Sequence, residues 1–307
     1  MEKPKYRPFS KPVKRLDVHC HLGDGVHCFT PEQRIELDRV LGIDHCVILP
    51  APINNGSTGS LPGVLGTEEA REVSAKYPEH FSWFCNIEPD GTERTYETLK
   101  QYKADGAVGV GEFGTLLRFD DPKVDHLLSC CGELGLPFLF HISPYGTNSY
   151  GVIDEKGLPG LEGALIRHPD TVFIGHSQPF WYEIGPVDPA LPGPALNGFP
   201  FGPVTEEGKA VELMRRFPNL YADLSANSGS NAILRDPAFG LRFLKEFSGR
   251  LLFGTDLLNT DLIFPIGQML DYYLFSGQLD EADYRKICRD NAVHLFNMST
   301  DCGRFAI

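Results

Sequence analysis

Eight short apolar runs, each separated from the next by a longer amphipathic stretch, constrain this chain more than any other feature. The runs are residues 15–21, 45–50, 81–87, 107–113, 137–143, 171–177, 220–226 and 250–256. Most are continuously apolar at their centres, as strands of a sheet covered on both faces must be. Helical patterns with legible ends lie between them. PEQRIELDRVLG carries Thr30 as N-cap and Pro31 in the first turn, TERTYETLKQYKADG starts at Thr92, and DPKVDHLLSCCGELG stops at Gly135. Strands alternating with helices eight times over predict an α/β fold, a parallel (β/α)8 TIM barrel. The lack of a glycine-rich phosphate loop after the first run argues against an open doubly wound sheet. The whole of 1–307 reads as one barrel domain, with long loops after the second and sixth strands.

Charge and cysteine usage narrow the partners. The formal net charge is −13, and no basic run follows the N-terminal dozen residues, so nucleic acid is excluded as a partner. No apolar run approaches the roughly 18 residues of a membrane helix. The basic segment MEKPKYRPFSKPVKRLD lacks the apolar stretch of a secretory signal. Eight cysteines show no Cys-x-x-Cys spacing, and Cys46 and Cys85 sit inside apolar runs. They read as reduced core thiols, and a cytoplasmic location follows. The expected partner is a small organic substrate.

The chemistry concentrates at strand ends. His19 and His21 flank Cys20 at the end of the first strand, and side chains two apart on a strand share a face. Both imidazoles can then reach one metal ion. Glu112, His141, His176 and Asp256 fall at the ends of the fourth, fifth, sixth and eighth strands. In a barrel those ends form one mouth, so six dispersed side chains are predicted to converge. Glu112 has a second reading, as a buried carboxylate holding a histidine. Asp17, two before His19, is expected on the same inward face as a support for the histidines.

This pattern resembles the amidohydrolase superfamily, and most closely its amidohydrolase-related branch (family 2), a group of metallo-dependent hydrolases. The resemblance runs from LDVHCH to RDNAVHLFN near the C-terminus. It implies that His19, His21 and Asp256 bind the more buried metal and that Asp256 takes a proton from activated water. It implies His141 as a further ligand. His176 would bind a second metal or stabilise developing charge, and Glu112 would occupy the place of a carboxylate bridging two metals. Zinc is the expected ion, in one or two copies, with manganese and iron open. Pairing into homodimers rests on analogy with such barrels alone.

Four residues are candidates to contact substrate: Trp181 in the aromatic stretch after His176, Asn227 after the seventh strand, and Arg118 and Arg235, each able to grip a carboxylate. The expected reaction is hydrolysis of an amide, lactone or other ester by metal-activated water. The alternative is nonoxidative decarboxylation of an aromatic or unsaturated acid, against which a bridging Glu112 would count.

Overall fold

A computed structural model of the chain describes residues 11–52, 61–262 and 264–298. Among the described residues nine strands follow in order: β1 (Arg15–Cys20), β2 (Ile43–Ile48), β3 (Phe81–Trp83), β4 (Val110–Phe113), β5 (Phe138–Pro144), β6 (Val152–Asp154), β7 (Phe173–His176), β8 (Leu220–Asp223) and β9 (Leu251–Leu252). All but β6 overlap the runs read from sequence. The short β6 extends the far end of β5.

All the pairs are parallel. Hydrogen bonds join β1, β2 and β3 in one sheet and β4, β5, β7, β8 and β9 in another. Main-chain bonds cross both seams. Cys85 N donates to Gly109 O at 3.0 Å beside β4, and Val18 N donates to Phe253 O at 3.0 Å beyond β9. The Asp256 amide reaches His19 O at 2.9 Å. Each of the eight staves sends an apolar side chain into one shared interior: Leu16, Val47, Phe84, Val108, Leu139, Ile174, Tyr221 and Leu252, with Phe296 packed against them. That is the packed centre of a (β/α)8 fold, not a pore.

Helix ends form where the local chemistry dictates. Pro31–Leu41 starts at a Thr30–Gln33 capping box, Glu93–Ala104 is capped by Thr92, and Pro122–Leu134 closes on Gly135 at φ 62°. The seven described cysteines are free and buried, as expected of core thiols. No described helix is long and apolar enough to cross a membrane. The loop after β2 lies partly outside the described residues. The loop after β7 is ordered by the short helix Gln178–Tyr182, whose Phe180 and Trp181 are buried.

Two strands slip register where it matters. β1 advances from Asp17 to Cys20 while β2 advances only from Cys46 to Ile48. β4 advances from Val110 to Phe113 while β5 advances from Phe138 to Phe140. Each slip inserts one extra residue, and such bulges re-aim side chains. In β1 the slip breaks strict alternation, so Asp17 does not share the inward face of His19, although its Oδ1 accepts from the His19 amide at 3.0 Å. Its carboxylate faces the helix layer, where buried Arg34 grips it and Thr255 Oγ1 donates to it at 2.6 Å. In β4 the slip falls at Gly111–Glu112. Gly111 has φ 141°, and a Cβ there would stand 2.5 Å from Leu139 O, so only glycine fits.

Candidate metal centre

The barrel mouth gathers His19, His21, Glu112, His141, His176 and Asp256. The Nε2 atoms of His19 and His21 lie 3.1 Å apart. Asp256 Oδ1 stands 3.4 Å from the first and 3.3 Å from the second. Glu112 Oε2 is 3.8 Å and 3.6 Å from the same two atoms. Opposite, His176 Nε2 lies 3.7 Å from Glu112 Oε1 and 3.8 Å from Asp256 Oδ2. All but Asp256 are buried. Asp256 holds a left-handed backbone at φ 56°, an unfavourable conformation for a residue with a side chain and one that gathers at functional sites.

Tautomers follow from the partners. His21 Nδ1 lies 2.9 Å from Leu49 O, a carbonyl that can only accept, so Nδ1 carries hydrogen. His19 Nδ1 lies 2.7 Å from Asp223 Oδ2 and donates to it. Both Nε2 atoms therefore present lone pairs to each other and to carboxylate oxygens. A buried cluster of acceptors with no donor among them calls for a cation. The donor set of imidazole nitrogen and carboxylate oxygen suits a divalent transition metal. Without metal, protons take the same role. Burial opposes charge on His21, but Asp256 and Glu112 outweigh it and hold its pKa well above the usual imidazole value. Burial likewise opposes charge on His176, yet Asp223 and Glu112 carry its pKa up to about 9.

Asp223, at the end of β8, is the anchor that sequence reasoning missed. One oxygen, Oδ2, takes hydrogen bonds from His19 Nδ1, from His176 Nδ1 at 3.1 Å and from Ser225 Oγ at 2.7 Å. Burial alone would raise its carboxyl pKa. The bonds from His176 and His19 reverse that and hold it well below the carboxylate range. The available signal was an acid inside the apolar run LYADLSA. Gly254 protects this anchor, since a Cβ there would meet Asp223 Oδ1 at 2.5 Å.

Glu112 divides its two oxygens. Oε1 binds His141 Nδ1 at 2.6 Å, while Oε2 turns toward His19 and His21. The reading of Glu112 as a histidine holder is thus realised beside its place at the centre. His141 stands one step outside the compact groups His19–His21–Asp256 and His19–Glu112–His176. Tyr150, from the loop after β5, packs on His141 with ring centroids 4.2 Å apart. Nothing in the sequence marked Tyr150.

A third group, Asp38, Cys46 and His80, also has metal-compatible spacing. Its acceptors are already served. Arg34 Nε donates to Asp38 Oδ1 at 2.8 Å, and Cys46 Sγ and His80 Nε2 reach Asp38 Oδ2 at 3.1 Å and 2.8 Å. The guanidinium supplies the charge that a cation would bring.

Comparison with known proteins agrees with this geometry. The profile of the family described as amidohydrolase matches residues 16–298. The chain belongs to the amidohydrolase family. Members are metal-dependent enzymes on (β/α)8 folds. Solved amidohydrolase-type structures that it resembles include a 2,6-dihydroxybenzoate decarboxylase from Rhizobium, at 19% identity and TM-score 0.54, covering 93% of this chain and 99% of that one. A putative 2-pyrone-4,6-dicarboxylic acid hydrolase from Pseudomonas putida gives 14% identity and TM-score 0.55, covering 93% and 98%. An amidohydrolase from Burkholderia multivorans gives 12% identity and TM-score 0.59, covering 94% and 100%. No curated protein sequence matches. Hydrolase and decarboxylase names thus both occur on this fold.

The four substrate candidates separate in this amidohydrolase. Trp181 is buried, and its Nε1 donates to Asp223 O at 3.0 Å, so it braces the anchor from behind and forms no pocket wall. Arg118 is a surface residue paired with Asp120 at 3.1 Å and Glu155 at 3.2 Å, which consumes its charge. Arg235 and Asn227 line one cavity.

Proposed function

We propose that this chain is a metal-dependent hydrolase of a small organic substrate with an amide, lactone or other ester bond. The observation that carries this reading is the convergence of two imidazole lone pairs and the Asp256 carboxylate on one buried point. His19, His21 and Asp256 would hold the ion, zinc by donor type. Glu112 Oε2 and His176 lie within reach of the same centre. A divalent ion bound there lowers the pKa of a bound water toward 7 and polarises a carbonyl.

The protein's own residues supply the rest. Asp256 has its second oxygen on the His176 side and is the most exposed of the set, with 22% of its side chain open to the mouth. It is placed to accept a proton from water and return it to the leaving group. His176, fixed by Asp223 and Ser225, presents Nε2 toward the same point. In its imidazolium form it would donate to oxygen charge as that charge develops. One ion per chain is the favoured stoichiometry, because Glu112 Oε1 is committed to His141 and leaves a single oxygen for the centre.

That commitment also removes the objection to the second reading. With no bridging carboxylate, nonoxidative decarboxylation remains open to the same residues, Asp256 delivering a proton to carbon where carbon dioxide departs. Turnover in 18O-labelled water separates the two. A hydrolase places the label in the acid product of an amide or ester panel. Release of carbon dioxide from an aromatic acid panel, without label in the organic product, would replace hydrolysis with the lyase reading.

A further inference from the structure

We infer that Asp17 is a positioning residue of the metal centre: its carboxylate clips the backbone of His19 to that of Thr255 and so sets the separation of the ligands His19 and Asp256. The inference rests on the metal-centre reading above and extends it to a residue whose carboxylate faces away from the ion. Asp17 is wholly buried. Its Oδ1 accepts from the His19 amide at 3.0 Å and from the Thr255 amide at 2.9 Å. Its Oδ2 accepts from Thr255 Oγ1 at 2.6 Å and from Arg34 Nη2. A carboxylate offers about four lone-pair positions, so these donors use them all.

The clip sits at the seam where the first stave meets the last. β9 is only two residues long and ends at Leu252, so its ladder stops short of Asp256. Beyond it, Val18 N donates to Phe253 O at 3.0 Å and Asp256 N to His19 O at 2.9 Å. Asp17 supplies the bonds between those two. His19 is thereby tied at both ends, its amide through Asp17 to Thr255 and its carbonyl directly to Asp256. Asp256 needs such support, because a left-handed backbone at φ 56° persists only where the surroundings over-determine it. Gly254 lets the two segments close up, since a Cβ there would stand 3.1 Å from His19 Cβ. The clip is itself held from outside: Arg34 Nε donates to Asp38 Oδ1 at 2.8 Å, which fixes the guanidinium that grips Asp17.

Two ligands from opposite ends of the chain must meet one ion to within about 0.5 Å. Asp17 sets that spacing through hydrogen-bond acceptance, not through its charge. Asp17→Asn keeps one oxygen for both amides and turns its NH2 group toward Thr255 Oγ1, which can accept. Asp17→Ala keeps no acceptor and leaves the His19 and Thr255 amides unpaired. Both variants remove the same charge from Arg34, so their difference isolates the clip.

The test is titration of the chelator-stripped full chain with cobalt(II), whose visible absorption reports both affinity and coordination geometry. Asp17→Ala should bind cobalt about 10- to 100-fold more weakly, with altered bands. Asp17→Asn should stay within about threefold of the parent with the parental bands. Leu16→Ala loosens the same strand inside the barrel without touching the clip. It should lower the urea midpoint and leave cobalt binding unchanged. Should Asp17→Ala not fold, Thr255→Val removes one of the four donors and should weaken cobalt about three- to tenfold. Parental affinity and bands in Asp17→Ala, or in Thr255→Val where it stands in, would overturn the inference. So would an Asp17→Asn as weak as Asp17→Ala, or a Leu16→Ala that loses cobalt to the same extent. A parent that takes up no cobalt would sink the metal centre and the clip with it, whereas a parent that binds beside an unaffected Asp17→Ala sinks the clip alone.

Discussion

Replacing Asp223 tests how the metal centre is held, because one of its oxygens orients two imidazoles. Asp223→Leu removes the acceptor for His19 Nδ1 and His176 Nδ1 while approximating the side-chain volume. Loss of one such orienting partner typically weakens metal binding by about 10- to 100-fold, or about 1.4–2.7 kcal/mol. Two rings share Asp223 Oδ2, so Asp223→Leu should fall at the upper end, about 100-fold. Asp223→Asn keeps one carbonyl oxygen and should fall near tenfold. Ser225→Ala removes a donor to Asp223 and a hydroxyl 3.1 Å from His176 Nδ1 and 3.3 Å from His19 Nδ1, but it leaves the Asp223 carboxylate to both rings, and it should change affinity by less than about threefold, the scale of a single neutral hydrogen bond. Competition with a chelator, read as metal retained against chelator concentration, measures all three. Circular dichroism checks that each variant is folded. If Asp223→Leu retained metal as well as the parent, His19 would not be oriented by Asp223, and the lone-pair reasoning for the centre would fail.

Three further outcomes follow. Arg34→Met strands two buried carboxylates, Asp17 and Asp38, and should lower unfolding free energy in urea by about 3–5 kcal/mol; Asp38→Asn on that background should recover part of the loss. Trp181→Phe leaves the carbonyl of Asp223 without its donor and should cost about 1–3 kcal/mol of stability; a main effect on KM would instead put Trp181 against substrate. Buried His45 is held neutral, its pKa pushed by burial down to about 4 from 6.5. Its contribution is complete above pH 6.5 and lost as pH falls toward 4, about 3 kcal/mol in all. His45→Gln should flatten that part of the stability–pH curve.

The alternation of apolar runs and capped helices made the barrel legible, since both faces of every stave are buried. The ligand positions were legible for a related reason: polar side chains at the ends of apolar runs have few places to go but the mouth. What was lost depended on register and on distant partners. The alternation rule put the Asp17 side chain on the face of the His19 ring, and the β1 bulge turned it to Arg34 and to the His19 amide. Asp223 lay in plain view inside LYADLSA, but its role needed the positions of His19 and His176. Tyr150 and β6 belong to a loop whose course no periodicity describes. Arg118 and Arg235 looked alike in sequence and differ only in whether acidic neighbours reach them.

The most direct measurement is X-ray absorption at the edge of the metal that copurifies with the protein. The account predicts a first shell of nitrogen and oxygen only, near 2.0–2.1 Å if the ion is zinc, with outer scattering from at least two imidazoles and one ion per chain. Sulfur at about 2.3 Å would move the ion to Cys46, and absence of imidazole scattering would contradict the convergence of His19, His21 and Asp256.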